Sequence, residues 1–151
     1  MGKVTTIRVH TETKKELDEF KTHEREPYEE VLKRLIKRVR ETDKLGEKKR
    51  AVSSFIGRIE EEHAENVEDI ILYGSYARGE ADAESDVDVL IVWNGNLSEG
   101  REQIAELATE ALLEHDVIVS PKVVSPKNYE EMKKSGLPFM ENVRQEGIKI
   151  G

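Results

Sequence analysis

The sequence predicts an α/β chain in which amphipathic helices flank a small sheet. Three observations carry that expectation. Apolar runs rich in β-branched residues stand at 69–73, 86–93 and 117–124. Around them, apolar residues recur at helical spacing, as in Val31, Leu32, Leu35, Ile36 and Val39. The length of 151 residues gives room for one ordinary domain, or for a small domain with an appendage.

The elements follow in order. Val4 to His10 alternates and is rich in β-formers, which predicts a short strand with Thr5, Ile7 and Val9 on one face and Thr6, Arg8 and His10 on the other. Thr11 is placed to cap a helix running to about Lys21, with Leu17 and Phe20 as its apolar stripe. Pro27 suits the first turn of a second helix. The run ETDKLGEKKR at 41–50 is mostly charged and contains a Gly, and 43–50 reads as a linker. Ala51, Val52, Phe55, Ile56 and Ile59 mark a third helix. The strands 69–73 and 86–93 come next, separated by GSYARGEADAES. Ser98 is placed to cap a helix whose core face is Ile104, Leu107, Ala108, Ala111 and Leu112. Pro121 interrupts the strand 117–124, which places it at a sheet edge or on a bulge. Short helices at 126–134 and 138–146 precede a terminal Ile-Lys-Ile.

Composition excludes several classes. With no Cys, disulfides and thiolate metal sites are ruled out. No apolar run reaches the ~18 residues of a membrane span, and the first ten residues lack the apolar core of a secretion signal. The expectation is a soluble, cytoplasmic protein. Charge is uneven: residues 1–50 carry a net +4 and residues 51–151 a net −12, which sum to −8. The basic part could face nucleic acid or simply be solvated. The acidic part could not approach phosphate without metal ions.

The informative stretch is Gly74 to Asp88. A strand ends at Tyr73, and Gly74-Ser75 follows at once. Gly there permits a sharp turn and close approach to a ligand. A helix starting after it would aim free N–H groups at an anion. Ser75 adds a hydroxyl, and Arg78 is placed to lean toward the same anion. Then Asp86-Val87-Asp88 opens an apolar strand, with both carboxylates on one face. Two like charges entering a core are costly, and a divalent cation relieves that cost. Hard oxygen donors favour Mg²⁺ or Mn²⁺. A phosphate turn beside a dicarboxylate is what nucleotidyl transfer requires.

Gly74-Ser75, ten residues, then Asp86-x-Asp88 resembles the G-S…D-x-D pattern of the DNA polymerase beta superfamily. The fuller run GSYARGEADAESDVDVLIV looks like the minimal nucleotidyltransferases of archaea and bacteria, over roughly 51–151. The resemblance implies a nucleotidyltransferase fold with a small mixed sheet. It implies that Gly74 and Ser75 hold the triphosphate of ATP, and that Asp86 and Asp88 bind the metals, with Arg78 reaching the same nucleotide by its position. Active members use a third carboxylate on the next strand. Here Asp116 is the candidate catalytic and metal residue. The other reading makes it a solvated helix-ending Asp, with Ile118 in the usual position. The resemblance further implies an antitoxin-like role, moving AMP from ATP to a hydroxyl on a HEPN-type toxin. The competing reading is a DNA-binding repressor or a neutralising antitoxin with an inactive transferase domain.

Residues 5–36, TTIRVHTETKKELDEFKTHEREPYEEVLKRLI, look like the ribbon–helix–helix segment of antitoxin-type regulators. That resemblance implies a segment over 1–42 that dimerises by pairing strands, with Thr6, Arg8 and His10 facing DNA. The expected organisation is therefore 1–42, a linker at 43–50 and a transferase domain at 51–151. A segment of 42 residues cannot enclose a core alone, which also predicts a homodimer.

Overall fold

The computed structural model describes residues 4–150. The chain divides into two compact units, Met1–Glu41 and Thr42–Gly151, and each has its own logic.

In the first unit, residues 4–10 form no strand. A strand needs a neighbour to take its N–H and C=O groups, and no described strand pairs with this segment. Ile7 is left 71% exposed and Val9 50%. Helix α1 (Thr11–Glu19) follows, with His10 rather than Thr11 at its N-cap. Helix α2 (Tyr28–His63) then runs for 36 residues and crosses the boundary between the units. The expected linker at 43–50 is thus helical. Its Lys, Glu and Arg are good helix formers, and one Gly costs only ~1 kcal/mol in a helix.

The turn between α1 and α2 is held by one buried carboxylate. Glu26 is 7% exposed. It accepts from the Thr22 amide at 2.7 Å and from Arg34 Nη1 at 2.5 Å. Arg34 also donates to the Phe20 carbonyl. The Arg34 guanidinium, and then the Thr22 amide, hold the Glu26 carboxyl down at about 2.

The second unit is built on a four-stranded mixed sheet of order β3-β2-β1-β4. Strand β1 (Val67–Tyr73) leads through the short helix α3 (Gly74–Ala77) and a loop to β2 (Val87–Trp93). The two strands are antiparallel, with Tyr73 opposite Asp88. Helix α4 (Leu97–His115) carries the chain to β3 (Val119–Val124), parallel to β2. Asn96, not Ser98, caps α4, accepting from the amides of Ser98 and Glu99. Helices α5 (Pro126–Lys134) and α6 (Pro138–Glu146) precede β4 (Ile148–Ile150), which pairs with β1. Pro121 lies in β3 at the sheet edge, as its lost donor requires.

The core lies on both faces of the sheet. Ala51, Phe55 and Ile59 of α2 pack with Ile104 and Leu107 of α4 against Leu72, Val87, Val89 and Ile91. Ile71, Leu90, Val92 and Val124 pack on the other face against Met140 and Val143 of α6. Each fully buried aliphatic side chain contributes about 2 kcal/mol. Gly100 lets α4 lie on Trp93: a Cβ there would sit 2.6 Å from the indole. No helix among the described residues is long and apolar enough to cross a membrane.

Because the Glu26 carboxyl is held below its ordinary value of 4.5, it favours the folded state wherever it is ionised in the unfolded chain. That contribution is complete above 4.5 and disappears as pH falls through about 2. Glu26→Gln should therefore lower the calorimetric melting temperature of the first unit at pH 7. The gap from the wild type should close on acidification between those two values. A gap independent of pH would exclude the Glu26 charge as the cause.

Candidate active site

The two central strands bring the predicted residues to one end of the sheet. Tyr73 ends β1, and Gly74 turns the chain with φ +75°. A Cβ on Gly74 would lie 2.5 Å from Asp88 Oδ2. The backbone of the Gly-Ser turn therefore abuts the Asp88 carboxylate directly. Only a residue with no side chain fits that approach and that φ without strain. Gly74 opens the four-residue α3, and the Ser75 carbonyl accepts from the Glu80 amide at 2.9 Å.

Alternation along β2 separates its side chains. Val87, Val89 and Ile91 enter the α2–α4 core, whereas Leu90 and Val92 face α6. Asp88 shares the parity of Leu90 and so stands on the α6 side, as does Asp86 just before the strand. Asp86 is exposed and Asp88 half-buried. Burial, and then repulsion by Asp86, pushes the Asp88 carboxyl up. Ser120 of β3 stands opposite Asp88, and its hydroxyl donates to Asp86 Oδ2 at 3.1 Å. Tyr73 lies on the same face, edge-on to Phe139 with ring centroids 5.2 Å apart. Its hydroxyl is pushed up by burial and then by the Asp88 charge. Lys122 Nζ covers the Phe139 ring at 4.3 Å.

The connection from 80 to 86 is ordered by short-range bonds. Asp82 Oδ1 accepts from the amides of Glu84 at 3.0 Å and Ser85 at 2.9 Å. Two lysines of α2 reach this loop. Lys44 pairs with Glu84 at 2.7 Å. Lys48, only 3% exposed, donates to the carbonyls of Asp82 and Ser85 and, at 3.0 Å, to the Ser85 hydroxyl. Burial pushes the Lys48 ammonium down, against the opposing pull of Asp82 and Asp86.

Of the predicted site residues, the structure brings together Gly74, Ser75, Asp86 and Asp88. Arg78 and Asp116 have other settings. Arg78 turns away, with Nε on Glu80 and Nη1 on Glu146, each at 2.7 Å. Asp116 is the exposed left-handed cap of α4, with φ 53°, and lies before β3 begins. No group of three His, Asp or Glu able to hold a metal occurs among the described residues. The reading of 117–118 as strand fails because the helix cap turns the chain there, so β3 starts at Val119. In the first unit, Thr6, Arg8 and His10 are all exposed.

Ser120 and Lys48 escaped the sequence reading. Lys48, Ala51, Val52 and Phe55 share the spacing i, i+3, i+4, i+7, so Lys48 lies on the buried stripe of α2. Ser120 could be found only by fixing the register of β3 against β2.

Residues 52–146 match the nucleotidyltransferase domain family. The chain belongs to that family, and it is a nucleotidyltransferase. Two proteins of Methanocaldococcus jannaschii, each named "Putative protein adenylyltransferase", are similar to it. One is 33% identical over 65% of this chain and 92% of its own length. The other is 36% identical over 54% of this chain and 76% of its own length. A chain from a crystal structure of the MntA–HpeT toxin–antitoxin pair aligns at 20% identity with a TM-score of 0.41, over 64% of this chain and 68% of that one.

The contact between Gly74 and Asp88 makes a sharp test of the geometry. Gly74→Ala should destabilise the fold by ~1–3 kcal/mol, through its positive φ and the displaced carboxylate. Urea unfolding measures that loss. A neutral substitution would contradict the turn described here.

Proposed function

We propose that this protein transfers a nucleoside monophosphate, AMP from ATP, to a hydroxyl on a partner protein. The observation that supports it best is the Gly74–Asp88 approach, which sets a backbone turn and a carboxylate pair at one sheet end. The names of the two M. jannaschii relatives favour a protein acceptor and adenylyl transfer. A HEPN-type toxin as that acceptor, and an antitoxin role, rest on the sequence resemblance.

The donor set fits a hard divalent cation. Two carboxylates share one face, and the proton affinity of Asp88 is raised by burial and by Asp86. A cation relieves both penalties. In this reading Asp86 and Asp88 hold Mg²⁺ or Mn²⁺, which supplies neutralisation of the triphosphate charge. The Gly74–Ser75 turn holds the triphosphate. Ser120 orients Asp86 through its hydroxyl. The acceptor oxygen bonds to the α-phosphorus, the bond from that phosphorus to the bridging oxygen breaks, pyrophosphate leaves, and the hydroxyl proton passes to solvent water.

Asp86→Asn together with Asp88→Asn should abolish Mg²⁺-dependent ATP binding and the labelling of the partner by radiolabelled ATP. The partner to use is the product of the neighbouring reading frame. The metal-free melting temperature should not fall, and should rise by ~2 °C, because a repelling, half-buried charge is removed. Solvent screening keeps that gain small. Unchanged ATP binding by the folded double variant would remove the metal-site reading.

The exposed, unpaired segment 4–10 favours a second element of the reading. Ile7 and Val9 are exposed without a sheet partner. A second copy pairing with this segment would cover them and leave Thr6, Arg8 and His10 outward, where DNA could meet them. Light scattering of the full chain should give twice the monomer mass. Ile7→Asp with Val9→Asp should halve it.

A further inference from the structure

We propose that Lys48 is a positioning residue of the active site, fastening the loop 82–85 so that Asp86 arrives beside Asp88 ready to share a cation. The inference rests on the reading of Asp86 and Asp88 as the metal carboxylates.

The argument begins with where the ammonium sits. Lys48 is one of two polar or charged residues among the described buried ones; the other, Glu26, has a charged partner. Among the described residues, Lys48 forms no ion pair. Its three contacts are neutral acceptors: two backbone carbonyls and one hydroxyl of a single loop. An ammonium has three N–H donors, so all its donors are spent on that loop. Burying a cation on neutral acceptors costs stability. A surface lysine or an apolar residue would serve the helix at lower cost. What Lys48 adds is placement. It ties the Asp82 and Ser85 carbonyls to the rigid α2 stripe formed by Ala51, Val52 and Phe55. Ser85 is followed at once by Asp86.

The loop has its own internal bonds, through Asp82 Oδ1 to the Glu84 and Ser85 amides. Those bonds shape the loop but do not attach it to the core. Lys44, the second α2 lysine reaching it, holds Glu84 from an exposed position. An exposed pair of that kind contributes little. The attachment therefore depends on Lys48. The field of a buried cation also reaches Asp86, which lowers the cost of holding two carboxylates together before a metal arrives.

The test compares Lys48→Met with Lys48→Arg in the full chain, using two readouts. Hydrogen exchange reads the loop without reference to activity. In Lys48→Met, the Glu84, Ser85 and Asp86 amides should exchange ~10-fold faster, while those of Val89 to Ile91 stay unchanged. The Mg²⁺ titration of ATP binding and partner labelling reads the site. Its midpoint should rise ~10-fold, as for other residues that orient metal ligands. The kcat at saturating Mg²⁺ should stay within ~3-fold of the wild type. Lys48→Arg keeps the charge and donors and should return the midpoint to within ~3-fold.

Unchanged loop exchange together with an unchanged Mg²⁺ midpoint in Lys48→Met would overturn the proposal. So would a uniform rise in exchange across β2, which marks general loosening. If Lys48→Met does not fold, amine footprinting of the wild type decides. Lys48 should then be among the least acylated lysines, and rapid acylation would overturn the proposal. A wild type that shows no Mg²⁺ dependence refutes the metal reading instead, and the exchange comparison still judges Lys48.

Discussion

The register of β2 is the constraint on which the site depends. The strand is central, antiparallel to β1 on one side and parallel to β3 on the other. It is buried along its length except at Asp88. A slip of one residue would exchange its two faces and carry Asp88 into the α2–α4 core. Val87 prevents that, being wholly buried on the opposite face. The same register sets Tyr73 and Ser120 on either side of Asp88. The site is therefore a by-product of packing: the residues that fill the core also fix the carboxylates.

Electrostatics works against this arrangement until a ligand is present. Asp88 is destabilised in its charged form by burial and by Asp86. Gly74 brings backbone, not a compensating charge, against it. Of the nearby cations, Arg78 is committed to Glu80 and Glu146 and Lys122 to the face of Phe139, while Lys48, bound to the loop before Asp86, acts on that carboxylate. The surrounding core thus holds two like charges close together at a cost that a cation between them would relieve.

Much of the second unit was legible in the sequence because its signals are local. The end of β1 at Tyr73, the Gly-Ser turn and the alternation of Asp86, Val87 and Asp88 all follow from spacing. Helices α5 and α6 fall where their periodicity and prolines put them. What escaped depends on contacts distant in sequence. Charged residues at 43–50 looked like a linker because composition does not show that Lys48 lies on a buried stripe. The third strand reads as starting at 117 because Val117 and Ile118 are apolar, whereas the left-handed cap at Asp116 delays β3 to Val119. Residues 4–10 alternate as a strand should, but alternation supplies no neighbour to pair with.

The placement of Pro121 has a consequence for association. A sheet ends in two edges, and each is a template on which another chain could add a strand. The edge strand β3 carries Pro121, which has no N–H to offer, so an incoming strand meets an interrupted ladder. The opposite edge, β4, is only three residues long. Both borders of the sheet are thus poor seeds for end-to-end growth, and a heavily charged chain with a strongly apolar central strand gains resistance to aggregation from the shape of its margins.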